Sequence, residues 1–167
     1  INTATGPDGC LYVTDMYRGI IQDAAWFNES NREFARRTGV NKHVQMGRIW
    51  RIRHKDHQPF LEKPQMLGES TAELVRHLQN PIGWWRDTAQ KLILLRSDRE
   101  KSIPLLEGLF RFTQSPLPRM HALWTLDGIN ALTTEIKREA LADRSPVLRR
   151  AMVQIIETKL PDQINLL

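Results

Sequence analysis

Two hydrophobic patterns divide the chain. Near the front, apolar and polar positions alternate over short runs. Leu11 and Val13 point one way along LYVT, and Ile49, Arg51 and Arg53 alternate with Trp50 and Ile52. Alternation over so few residues predicts strands, one over Leu11–Thr14 and one over Gly47–Arg53. The first strand follows Gly6-Pro7-Asp8-Gly9, a turn whose glycines can take positive φ. Between the strands, SNREFARRT (Ser30–Thr38) predicts a short polar helix capped by Ser30 or Asn31 and ended by Gly39. Residues 1–55 therefore read as one unit: strand, irregular excursion with a helix, strand. The following stretch, HKDHQPFLEKPQMLG, has two prolines and little periodicity, and residues 56–69 read as a linker.

From Ser70 onward apolar positions recur at helical spacing. Six helices fit, at about 70–79, 84–96, 99–113, 118–129, 132–143 and 146–158. Each starts near a Ser, Thr, Asp, Asn or Pro, which suits a cap or a first turn. The second helix of each pair repeats a motif. Arg86-Asp87-Thr88-Ala89 is followed by Ile93, Arg119-Met120-His121-Ala122 by Leu126, and Arg149-Arg150-Ala151-Met152 by Ile156. A proline precedes each arginine: Pro81, Pro118 and Pro146. The arginines lie about 33 and 30 residues apart, a period of stacked helical hairpins. One such hairpin cannot bury its apolar face alone, and three can share a continuous core. The pattern resembles the HEAT-like or armadillo-like repeats of an α-solenoid, so residues 70–167 are expected to form a mainly α superhelix of three hairpins.

Charge and composition narrow the functional classes. The chain of 167 residues has a formal net charge of +5. Residues 1–60 carry nine Lys/Arg against six Asp/Glu and residues 61–167 fifteen against thirteen, so the excess is diffuse. No basic run exceeds two residues, which argues against a nucleic-acid surface. No apolar run approaches the roughly 18–20 residues of a membrane span. There is no signal-peptide pattern and the chain starts at Ile1, so a piece of a longer protein is expected. Cys10 is the only cysteine, which leaves no internal disulfide, no CxxCH haem site and no cysteine zinc site; a buried thiol is expected. His54 and His57 in HKDH have the spacing of a metal pair on a helix, but only Asp56 stands near as a further ligand, and a solvated linker is the plainer reading. No Ser-His-Asp order, phosphate loop or close carboxylate pair stands out; Gly6 and Gly9 make a turn, not a nucleotide motif.

GPDGCLYVTDMYRGIIQ, then GRIWRI, then NPIGWWRDTAQKLI, then MHALWTLDG together resemble one family. These are the large propeller-containing membrane-bound or periplasmic dehydrogenases of planctomycete-type bacteria, similar to soluble quinoprotein glucose or sorbosone dehydrogenases. The resemblance implies that residues 1–55 are a short β-hairpin segment from the C-terminal end of a β-propeller, followed by HEAT-like repeats. It implies a periplasmic or cell-envelope location and a parent that oxidises a sugar or other alcohol. The parent would use pyrroloquinoline quinone and calcium, with haem in a separate cytochrome c module; this chain itself would hold no cofactor or metal. Its partners would be the upstream propeller, and a cytochrome module or other protein. No turnover is expected from the chain alone. The first rival reading is a non-enzymatic α-solenoid scaffold that binds protein, and the second is a nucleic-acid-binding HEAT-like domain.

The resemblance places Asp15, Arg18 and Gln22 on a propeller loop facing the central channel. An Arg there could hold a carboxylate bidentately, and an Asp could serve as a base or cation ligand. The plainer alternative is that Asp15 caps a turn and pairs with Arg18. Tyr17 and Trp26 could line a sugar surface or simply pack, and His43 reads as a surface residue. In the helical part, Trp84, Trp85 and Arg86 are the candidate partner-binding residues. The plainer reading puts one Trp ring in the core and the other against the linker, with Arg86 and Asp87 bridging repeats and His121 lying between helices.

Overall fold

The computed structural model describes residues 2–21 and 24–164. The chain divides into two compact units, Ile1–Glu62 and Lys63–Leu167. It is mainly helical, with seven α-helices and a three-stranded antiparallel sheet among the described residues.

In the first unit, β1 (Asn2–Thr5), β2 (Leu11–Asp15) and β3 (Arg48–Ile52) lie in that order across the sheet. A hairpin was expected here; β1 is the additional strand. Asn2-Thr3-Ala4-Thr5 has no apolar alternation, and it is a strand because it pairs with β2, Asn2 opposite Thr14 and Thr5 opposite Leu11. The Thr14 hydroxyl ties the edge further, accepting from Asn2 N–H at 3.0 Å. Gly9, at φ 78°, lets the intervening turn close, and Gly6 N–H donates to Cys10 O at 2.9 Å. The register sets Leu11 against Ile52, Val13 against Trp50 and Asp15 against Arg48, so all six share one sheet face. Leu11 is 42% exposed, Trp50 50% and Ile52 52%: within this unit the apolar face is uncovered.

The excursion between β2 and β3 carries α1 (Glu29–Thr38). Its cap is Asn28, whose side chain accepts from Asn31 N–H, rather than Ser30 or Asn31 themselves. Gly39, at φ 72°, ends it by donating to Ala35 O. The segment read as a linker is anchored at its start. Phe60 N–H donates to Asp8 O at 3.2 Å and the His57 ring bonds the same carbonyl at 3.0 Å. Residues up to Glu62 therefore belong with the strands, and Met66, read as linker, is buried in the second unit.

In the second unit α2 (Thr71–His77) packs on α3 (Gly83–Leu95), α4 (Ile103–Phe112) on α5 (Pro116–Gly128), and α6 (Thr134–Leu141) on α7 (Pro146–Ile164). The second helices also meet in succession, α3 with α5 and α5 with α7, and α2 meets α4. Local chemistry explains the starts. Ser70 and Glu73 form a reciprocal capping box on α2, Thr133 caps α6, and prolines open α4, α5 and α7. The helix expected over 99–113 begins with a 3-10 turn at Arg99–Ser102 because Pro104 cannot donate within a longer helix. One core runs through all three pairs, with Leu74, Trp85, Ile93, Phe110, Leu123, Ile136, Met152 and Ile155 almost wholly buried.

Candidate functional site

Asp15 stands at the end of β2, and the antiparallel register brings Arg48 directly opposite and Trp50 onto the same face. One carboxylate oxygen accepts from the Trp50 Nε1–H at 3.1 Å and from Arg48 Nε–H at 3.2 Å. The other accepts from Tyr17 N–H at 2.9 Å, closing a turn. The Trp50 hydrogen bond, then the Tyr17 amide, hold the Asp15 carboxyl below the ordinary range against partial desolvation, with Arg48 adding to the effect. The Arg48 guanidinium lies 4.1 Å from the Tyr17 ring centroid and 5.0 Å from that of Trp50. Tyr17 sits at φ 36°, a left-handed conformation that bulky residues rarely adopt, so this turn holds local strain.

Asp15 thus caps a turn, but its ion partner is Arg48 and not Arg18. Both oxygens face N–H donors, an arrangement suited to holding a guanidinium and ill suited to accepting a substrate proton or ligating calcium. Among the described residues no group of three or more His, Cys, Asp or Glu could hold a metal ion.

Arg18 turns to a different place. It lines a cavity of about 840 Å³ with Arg32, Arg36 and Glu29 of α1, His43, and the apolar Ile20, Ile21, Phe27, Val40 and Val44. Gly19 makes this approach possible, since a Cβ there would lie 2.2 Å from Val40 O. Gln22 lies outside the described residues. Trp26 is exposed on a short 3-10 turn, and the His43 and Tyr17 rings lie 6.2 Å apart, both exposed.

A second polar cluster was not foreseen. Asp8, buried in the turn before β2, accepts from Cys10 N–H and from the Tyr12 hydroxyl, both at 3.0 Å, and pairs with Arg51 at 2.6 Å. Burial works to raise its carboxyl; the Cys10 and Tyr12 hydrogen bonds and the Arg51 charge outweigh it, and the net shift is downward. Cys10 is buried beside them as a free thiol. Only the Asp8 position within Pro-Asp-Gly signals such a role from the sequence; Arg51 and His57 are too distant along the chain. His57 is engaged with Asp8 O and His54 Nδ1 accepts from Asp56 N–H, and no group of three or more metal-ligating side chains includes them among the described residues.

In the helical unit the three partner-binding candidates separate. Trp85 is 1% exposed and stacks on His77 with ring centroids 5.0 Å apart, which makes it core. Trp84 meets it edge-on at 5.5 Å and lines a small groove of about 260 Å³ with Pro64, Met66, Leu67 and Leu92. Arg86 spans inward, donating to Asn80 O at 2.6 Å, Pro81 O at 2.9 Å and His121 Nε2 at 3.2 Å. Of the three, Trp84 alone offers a ring to a groove. His121 also bonds Gln90 Oε1 at 2.8 Å, joining α3 to α5.

Residues 1–56 match a family model described as a domain of unknown function, DUF7133. The matched stretch comprises the three strands and α1. No curated protein and no solved structure matches the chain.

Proposed function

We propose that this chain is the C-terminal part of a propeller-containing, quinone-dependent sugar or alcohol dehydrogenase, in which it acts by association and carries no turnover of its own. The observation that carries the reading is the uncovered apolar sheet face of Leu11, Val13, Trp50 and Ile52. A three-stranded sheet with no covered face is marginal in water, and a neighbouring β-structure packed on it would supply the missing burial. The resemblance of GPDGCLYVTD to a propeller strand entry agrees with that role. Asp15, engaged by Trp50, Arg48 and Tyr17, serves here as a brace, and the chemistry lies elsewhere in the parent.

The helical unit is read as three HEAT-like hairpins that present an interaction surface. Support comes from a repeated detail. Asn80 accepts from the N–H two residues on, Ile82, and Arg86 donates to the carbonyls of Asn80 and Pro81. Asp143 likewise accepts from Ser145 N–H, and Arg149 donates to the carbonyls of Asp143 and Arg144. The same repeat favours the second reading, a protein-binding solenoid scaffold without an enzyme.

Dye reduction by the longer protein, across sugars and alcohols, with and without pyrroloquinoline quinone and calcium, tests the first reading. Quinone-dependent turnover by the longer protein, with none from this chain, is the expected result. Absence of turnover under every condition would hand the chain to the scaffold reading.

A further inference from the structure

We propose that the cavity beside α1 binds a small organic anion, a carboxylate carried on an apolar body, with Arg18 as its principal charge partner. The argument starts from charge balance. Among the described residues, Arg18, Arg32 and Arg36 line the cavity with one carboxylate, Glu29. Arg36 is already committed, at 2.7 Å to Glu29 and 3.5 Å to Glu33. Arg32 spends its Nε on Phe27 O at 3.2 Å. Arg18 makes no hydrogen bond or ion pair among the described residues, and Asp15, three residues before it, is held by Arg48 and Trp50. A guanidinium cannot shed its proton, so its charge at the cavity wall awaits an anion.

The walls then choose the kind of anion. Ile20, Ile21, Phe27 and Val40 make much of the lining apolar, and a second cavity of about 460 Å³ shares these four and adds Phe34. A bare phosphate would leave that surface wet. A carboxylate with an aromatic or aliphatic body satisfies both the fork of Arg18 and the apolar wall. The volume is within the usual range for small-molecule sites, roughly 300–1,000 Å³. The close seating of Gly19 on Val40 fixes the Arg18 backbone relative to the wall before any ligand arrives.

Titration calorimetry on the whole chain at low salt, with benzoate and its neutral counterpart benzamide, tests this without recourse to any dehydrogenase activity. Saturable one-to-one binding of benzoate is expected, with benzamide about tenfold weaker or more. Arg18→Gln should weaken benzoate by about tenfold, Arg18→Lys less, and Arg37→Gln, on α1 but outside the cavity lining, by less than about twofold. Arg18 is exposed and unpaired among the described residues, so these variants should keep the circular dichroism of the parent chain. Equal binding of benzoate and benzamide, an unchanged affinity in Arg18→Gln, or no saturable benzoate binding by the folded chain would each overturn the proposal.

Discussion

Asp8 and His121 are both buried, and their partners set their charge in opposite ways. Asp8 is held ionised by the Cys10 amide, the Tyr12 hydroxyl and Arg51. Truncating it leaves the exposed Arg51 guanidinium without its partner and strands the Cys10 amide and Tyr12 hydroxyl, so Asp8→Ala should cost the strand unit about 1–3 kcal/mol. Faster hydrogen exchange at the Gly6 and Gly9 amides, which close the turn, would register the loss. Because its carboxyl is lowered from 3.8, the Asp8 contribution is present above that value and fades as pH falls through the folded value. His121 behaves as a base. Burial first, then the Arg86 charge, lower it from 6.5, with Asp87 opposing. Its Nε2 accepts from Arg86 Nε–H, so Nδ1 carries the proton donated to Gln90, and a second proton would set N–H against N–H. The unfolded chain then binds more protons than the folded one as pH drops below 6.5, and the helical unit weakens. The melting temperature of the helical unit should therefore fall between pH 7.5 and 5.5, and His121→Gln, which can still accept and donate, should flatten that fall. An unchanged slope in the variant would remove His121 as its source.

At the scale of elements, the repeated arginines fasten the second helix of two hairpins to the loop before it. Arg86 and Arg149 each grip two loop carbonyls, but Arg86 is half-buried and also reaches α5 through His121, whereas Arg149 is exposed. In each case a single nitrogen, Nη1, reaches both carbonyls, and Arg86 alone also donates its Nε–H to His121, a combination that a lysine's single ammonium cannot reproduce. Arg86→Lys should cost about 1–3 kcal/mol and Arg149→Lys under about 1 kcal/mol in urea denaturation of the helical unit, and equal costs would argue against this difference in burial. Arg119 departs from the pattern, donating to Phe110 O and pairing with Asp143 of the next loop. The sequence motif picked out these arginines but could not reveal which groups they reach. Periodicity and caps were enough to reveal the helices, since each buries a stripe along its own length. Strand β1 was not legible, because Asn2–Thr5 owes its form to Thr14 and Leu11 across the sheet. The partner of Asp15 was misread for a related reason. Arg18 is three residues away and Arg48 thirty-three, yet the period-two register puts Arg48 opposite. Alternation in the two strands could have found that pairing, had the strand ends been fixed first.

For the whole molecule, the two units differ sharply in what they bury. In Ile1–Glu62 the wholly buried side chains are few among the described residues, namely Asp8, Cys10 and Ala35, while Trp26, Ile49, Trp50 and Ile52 are half or more exposed. In Lys63–Leu167 a continuous core includes Trp85, Phe110 and a series of leucines and isoleucines. Burial of apolar surface is what offsets chain entropy, and it is concentrated in the second unit. Local opening should therefore be unequal. Hydrogen exchange should show the amides of α3 and α5 protected by several orders of magnitude more than those of β1 to β3 at neutral pH. Residues 63–167 expressed alone should unfold cooperatively, while residues 1–62 alone should lack a sharp transition. If the strands instead exchange as slowly as α5, the uncovered face is not the weakness argued here, and the case for a missing β-partner loses its energetic basis. If they exchange fast and become protected when the proposed propeller partner is supplied, the face formed by Leu11, Val13, Trp50 and Ile52 is the surface on which that partner rests.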